Sequence, residues 1–260
     1  MSKPLTYSSY LAVDELLQLQ RPRSEEHDEP LFIIIHQVYE LWFKEILHEL
    51  DYCMTLLRGG DTPKAMHTLG RVRTILKVLV AQLDILETMT PLEFLSFRER
   101  LEAASGFQSA QFRELEFVLG SKRRASVAHF PEEGDARERL ERRFRDPCLW
   151  DAVLAFLNVT GYDVPKDALN RDVTRSVEPH EGVQAILMTV YRRDPTAAAL
   201  CERLVDLDEG LQEWRYRHVK MVERTIGAKT GSGGSAGAKY LHSTLSQAVF
   251  PDLWAIRSEF

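Results

Sequence analysis

Leu204, Leu207, Leu211, Trp214, His218, Val222 and Ile226 follow one another at spacings of three or four residues. That period places all seven side chains on one face of an amphipathic helix. A second stripe, Met66, Leu69, Val72, Leu76, Leu79, Leu83 and Leu86, starts behind Asp61-Thr62-Pro63 and stops before Pro91. Between them these runs dictate long helices that must bury an apolar face against partners. His218 interrupts the first stripe where a leucine would ordinarily stand. An imidazole directed inward needs a hydrogen-bond partner or a metal. A core histidine bonded to a carbonyl and a ligand histidine both remain open at this point.

The same period recurs along the chain. The spacing predicts helices over 31–57, ended by Gly59-Gly60, and over 91–101. It predicts others over 109–119 with Gly120 as terminator, 136–144, 147–157, 182–192 and 197–226, and a last helix from Tyr240 broken at Pro251. No run alternates with period two, and no Asn-Gly or Asp-Gly hairpin signal is present. The expected fold is therefore all-α, a helical bundle of long antiparallel helices whose interior builds the site. At 260 residues the chain reads as one domain, 1–260, with residues 1–30 as an N-terminal arm.

Several classes of function are disfavoured. A net charge of −6 argues against a nucleic-acid surface. The one basic cluster, Arg137 to Arg145, alternates with Glu138 and Glu141 and reads as a solvated helix face. Cys53, Cys148 and Cys201 are far apart and lack a C-x-x-C spacing, which suggests a reducing compartment and no cysteine zinc site. The first residues lead into no secretory apolar stretch, and Leu31 to Ile35 is too short to span a bilayer. The expectation is a cytoplasmic protein with no membrane partner.

His36 shares a helix face with Phe32, Tyr39, Phe43 and Leu47, in a largely apolar setting. Two inward histidines on different helices suit a metal or a haem, although two unrelated core histidines fit as well. Glu45-Ile46-Leu47-His48 is the Glu-x-x-His element of di-iron bundles, but no other histidine follows a glutamate at that spacing. His48 thus reads as a surface residue. The loop Gly231-Ser232-Gly233-Gly234-Ser235-Ala236-Gly237 lacks a phosphate-loop order and follows a helix. Its amides and hydroxyls could still meet a carboxylate. Arg98, beside Phe94, Phe97 and Leu101, could clamp such a carboxylate bidentately, or pair on the surface with Glu99 or Glu102.

Over almost its whole length the chain resembles the haem-dependent tryptophan 2,3-dioxygenases. The resemblance is carried by Leu5-Thr6-Tyr7 with Tyr10-Leu11, by His36-Gln37-Val38-Tyr39-Glu40-Leu41-Trp42-Phe43-Lys44 and by Phe97-Arg98. It continues in Ser105-Gly106-Phe107-Gln108-Ser109, Trp214-Arg215-Tyr216-Arg217-His218 and Gly231-Ser232-Gly233-Gly234-Ser235. The resemblance implies a haem b with His218 as the proximal iron ligand and Ser105 close to the haem, with O2 as co-substrate. It implies His36 near the indole nitrogen, Arg98 on the substrate carboxylate, and Ser232 with the glycine loop closing over the amino-acid end. Phe32, Phe94, Tyr7, Tyr10 and Leu11 would shape the aromatic pocket, the tyrosines reaching it from a neighbouring subunit of a homotetramer. The implied reaction opens the indole ring of L-tryptophan to N-formylkynurenine. Most of the family has Thr where Ser232 stands here, and Ala228 and Ala238 are small for that region. A haem monooxygenase of a substituted tryptophan, or a non-catalytic haem carrier, are the rival readings.

Overall fold

The structure is a computed structural model and describes residues 4–102, 104, 106–229 and 238–260. It contains fourteen α-helices among these residues and no strand. Two short ones, α1 (Tyr7–Leu11) and α2 (Val13–Leu16), precede the long α3 (Glu29–Arg58) and α4 (Thr62–Leu86). Then come α5 (Pro91–Arg98), α6 (Ala110–Val118), α7 (Arg124–Val127), α8 (Asp135–Arg145), α9 (Leu149–Val159) and α10 (Lys166–Leu169). The chain ends in α11 (Glu181–Arg193), the long α12 (Pro195–Ile226), α13 (Ala238–His242) and α14 (Pro251–Ala255).

The all-α expectation holds, and the caps show why the helices begin where they do. Asp61 accepts the Lys64 amide and Asp194 accepts those of Thr196 and Ala197, with a proline in each first turn. Thr90 and Glu93 form a reciprocal capping box ahead of Pro91. Ser109 caps α6 through the Phe112 amide. Its far end turns at Gly120 with φ of +99°, where an added Cβ would stand 2.7 Å from Val177 Cγ2.

The short Gly59–Asp61 link folds α4 back antiparallel to α3, and α12 packs along α4. Their stripes meet in one continuous core that includes Leu50, Leu57, Leu69, Leu79, Leu83, Leu204 and Leu207. Each such fully buried leucine contributes about 1.5–3 kcal/mol. Tyr39 ties α3 to α4 by donating to the Leu79 carbonyl. A smaller cluster of Phe117, Val127, Phe130, Leu140 and Phe144 lies under α7 and α8.

Three expectations need correction. The stretch from Tyr240 is not one helix: α13 ends at His242, and Pro251 begins α14 because its missing N–H costs nothing in a first turn. Residues 99–101, read as part of the helix from Pro91, are a 3-10 turn. The cluster from Arg137 to Arg145 is more than a solvated face. Arg143 chelates Asp51 at 2.5–2.6 Å, Arg139 meets Glu114, and Arg137 donates to the Val127 and Phe130 carbonyls. These bonds fasten α8 to α3, to α6, and to the end of α7 and the loop after it.

Candidate active site

A pocket of about 260 Å³ lies between the long helices α3 and α12 and the shorter α5 and α6. Phe32, His36 and Tyr39 line it from α3, Phe94 and Arg98 from α5, and His218, Val222 and Ile226 from α12. The structure thus brings His36, His218, Phe32, Phe94 and Arg98 to one cavity. Its remaining lining is mostly apolar and includes Leu83, Leu86 and Met89.

His36 is held by an internal bond of its own helix, Nδ1 lying 2.7 Å from the Phe32 carbonyl oxygen. A carbonyl can only accept, so Nδ1 carries the proton and Nε2 is left as the acceptor. Burial pushes its pKa below the usual imidazole value, against the opposing pull of that carbonyl and of Glu40. The Phe32 ring packs on His36 with centroids 4.1 Å apart, and Phe94 and Phe97 stand 5.8 and 5.6 Å from Phe32.

His218 is treated differently by its surroundings. Trp214, one turn earlier, stacks on it with centroids 5.2 Å apart and planes within 7°. Neither ring nitrogen finds a hydrogen-bond partner among the described residues. Burial, with a small repulsion from His36, depresses its pKa to about 4. A neutral imidazole with an available lone pair, facing an apolar cavity, is the donor a metal requires.

The described residues hold no group of three or more His, Cys, Asp or Glu able to bind a bare metal ion. His48 is exposed on α3, away from any such set. A metal carried in a planar ring needs only one axial protein ligand, and the donor set here fits that arrangement. Arg98 is half-buried at the end of α5 rather than free on the surface.

Other expected site residues fall elsewhere. Tyr7, Tyr10 and Leu11 are 79, 72 and 46% exposed on α1 and do not line the pocket. Ser105 and Ser232, with the glycine loop, lie outside the described residues. Sequence reasoning missed Arg113, Glu116, Arg123 and Thr244, all on the pocket wall. No periodicity marks them, since Arg113 and Glu116 read as the polar side of an ordinary helix. Arg215 sat unremarked inside a quoted motif. It is buried one turn before His218 and donates to the Thr244 and Gln247 carbonyls at 3.3 and 2.9 Å.

Fold and pocket together define an all-α protein whose long helices enclose a largely apolar cavity lined by two histidines with lowered pKa values. The family described as tryptophan 2,3-dioxygenase matches residues 1–165 and 151–260. The chain is 61% identical over 261 residues to the tryptophan 2,3-dioxygenase of Herpetosiphon aurantiacus, covering all of both chains. It is 57% identical to that of Anaeromyxobacter dehalogenans, covering 98% of this chain and 96% of the relative. With that of Caulobacter vibrioides it shares 46%, again over the full length of both. The chain belongs to the tryptophan 2,3-dioxygenase family.

Proposed function

We propose that this protein is a haem-dependent oxidoreductase that opens the indole ring of L-tryptophan with O2. Both oxygen atoms enter the product, N-formylkynurenine, as the C2–C3 bond of the indole breaks into a ketone and a formamide. The observation that carries the reading is the pair of neutral histidines on α3 and α12 facing one apolar pocket, one with a bare lone pair and the other set as an acceptor.

His218 would hold the haem iron, with Trp214 fixing the plane of its ring. When bound, haem supplies the O2 chemistry, and the protein supplies orientation and a dry site. His36 accepts the indole N–H at Nε2, because Nδ1 is already committed to Phe32. The same bond keeps His36 from acting as a donor at that nitrogen while neutral. Its role is to orient the electron-rich ring, and no strong base is needed. Phe32 and Phe94 pack the indole. Arg98 clamps the carboxylate, with Ser232 and Ser105 as further expected contacts.

The whole chain, 1–260, acts as one domain whose first 30 residues form an arm. Leu5, Tyr7, Tyr10 and Leu17 are all more than two-thirds exposed, an apolar surface suited to a neighbouring subunit. The assembly proposed is a homotetramer in which Tyr7, Tyr10 and Leu11 complete the next pocket. No helix among the described residues is long and apolar enough to cross a membrane. A cytoplasmic location accords with three buried free thiols.

The test is to incubate the reduced, haem-loaded protein with L-tryptophan under isotopically labelled O2 and record the product mass. Incorporation of both labelled atoms is expected. A product with one labelled oxygen would replace the reading with a monooxygenase, and O2 binding without turnover would replace it with a carrier.

A further inference from the structure

Among the described residues no hydrogen bond holds the plane of the His218 ring, so its orientation rests on the parallel stack with Trp214. Whatever fixes Trp214 therefore fixes the imidazole. The indole is buried among three other rings, Tyr39 and Phe43 of α3 at 6.4 and 6.3 Å and Phe112 of α6 at 5.1 Å. Ring contacts confine an indole but tolerate sliding, and a buried Trp usually adds a directional bond from its N–H. Here the indole Nε1 is buried and closes no full hydrogen bond among the described residues. It nevertheless acts on the Tyr39 hydroxyl. Burial pushes that group up to about 12, and the Trp214 N–H, with the charge of Arg217, pulls against the rise.

We propose that Tyr39 is a positioning residue for His218, acting through Trp214. The proposal rests on the haem reading above for the role of His218 itself. The Tyr39 hydroxyl donates its proton to the Leu79 carbonyl of α4 at 2.5 Å. A hydroxyl that has spent its proton still has lone pairs to accept with, and that bond aims them. The Trp214 N–H is the buried donor placed to use them, and the far face of the same indole carries the imidazole. A backbone carbonyl of α4, a hydroxyl of α3 and an indole of α12 thus form one line ending on His218.

The line also couples the two histidines. Tyr39 stands three residues after His36 on α3, so one helix carries the imidazole that orients the substrate and the residue that orients the opposite imidazole. Although Tyr39 lines the pocket, its hydroxyl is engaged by Leu79 and Trp214 and is not offered to the substrate. Its loss should therefore be felt at His218 and not in tryptophan binding.

The experiment compares Tyr39→Phe, Trp214→Phe and the double variant in the full-length protein. In the apoprotein, the NMR resonance of the Trp214 indole N–H, assigned by its loss in Trp214→Phe, should move upfield in Tyr39→Phe. In the ferrous haem-loaded protein, the iron–imidazole band in resonance Raman spectra should broaden or shift in both single variants. The double variant should go no further than Trp214→Phe alone, because Tyr39 acts only through the indole. In Tyr39→Phe, kcat should fall about three- to tenfold, the scale of one hydrogen bond, with KM for tryptophan unchanged. Cys53→Ala is the structural control. Its thiol donates to the Ala65 carbonyl between the same two helices, about 21 Å along α3 from Tyr39, and its loss should leave the band in place. If Tyr39→Phe does not fold, 3-fluorotyrosine incorporated throughout the chain, a weaker acceptor, should still move the indole resonance. The proposal is overturned if that resonance stays fixed, if the two single effects add, if KM rises while kcat is kept, or if Cys53→Ala moves the band equally. Failure of wild type to bind haem would instead sink the haem reading, and the apoprotein spectra would still decide whether Tyr39 holds Trp214.

Discussion

Asp208 is wholly buried on α12, ten residues before His218, and replacing it with alanine should unfasten the C-terminal segment from that helix. Its Oδ2 accepts the Val249 amide at 2.8 Å, the Phe250 amide at 3.1 Å and the Trp254 indole N–H at 2.9 Å. Oδ1 accepts the Gln212 side-chain amide at 3.0 Å. Alanine leaves two buried backbone donors with no acceptor, at about 1–3 kcal/mol each. Trp254 is 37% exposed and can turn its N–H to water, so it adds little. The expected loss is about 3–5 kcal/mol, whereas asparagine keeps a carbonyl for the same donors and should cost about 1–2 kcal/mol. Urea denaturation measures both values, and hydrogen exchange should show the Val249 and Phe250 amides losing protection selectively. The consequence reaches the pocket, because Leu241 and Thr244 form part of its wall just before this anchor. Asp208→Ala within 1 kcal/mol of wild type, or equal to Asp208→Asn, would refute the reasoning.

Arg98→Leu should lower kcat/KM for tryptophan at least about thirtyfold with haem content unchanged, since an unpaired buried carboxylate costs about 2–5 kcal/mol. Unaltered kinetics would place the carboxylate clamp elsewhere. His218→Ala should abolish stable haem binding while His36→Ala keeps the haem, as measured by the Soret band of the purified proteins. Full occupancy in His218→Ala would void the ligand assignment. Deleting residues 1–11 should impair turnover and assembly more than protomer stability, since α1 contributes no buried residue. Steady-state rates and sedimentation check it, and unchanged values for both would count against a shared site. Lys122 Nζ donates to the Arg143 and Asp146 carbonyls, and burial lowers its pKa to about 8. The unfolded chain binds that proton up to about pH 10.4, so wild type should gain stability relative to Lys122→Met as pH rises from 8 to 10. A flat difference across that range would mean that the amine is not desolvated.

Much of the helical framework could be read directly. The stripes ending at Leu86 and Ile226, the helix starts at Asp61 and Ser109 and the Gly120 terminator each appear in the structure within two or three residues of their expected places. These signals are local, set by side chains three or four apart and by the end of a hydrogen-bond ladder. The four-residue helices at 13–16, 124–127 and 166–169 left no signal, because one turn is too short to display a period. The same limit hid the division of the stretch after Tyr240.

The sequence by itself determined that His36 and His218 point inward, and through its motifs it determined the family. It could not determine the state of either ring. The Phe32 carbonyl that sets the His36 tautomer is a local accident of helix geometry, legible only once the side chain's rotamer is known. The Trp214 stack and the depressed pKa of His218 arise from burial between helices whose residues lie far apart in the chain. Tertiary structure alone gathered Arg98, Arg113 and Arg123 around one cavity and seated Asp208 under the backbone of Val249 and Phe250. Periodicity reports which face of a helix is apolar. Which faces meet, and what charge the meeting leaves unsolvated, depends on packing and desolvation across the whole molecule.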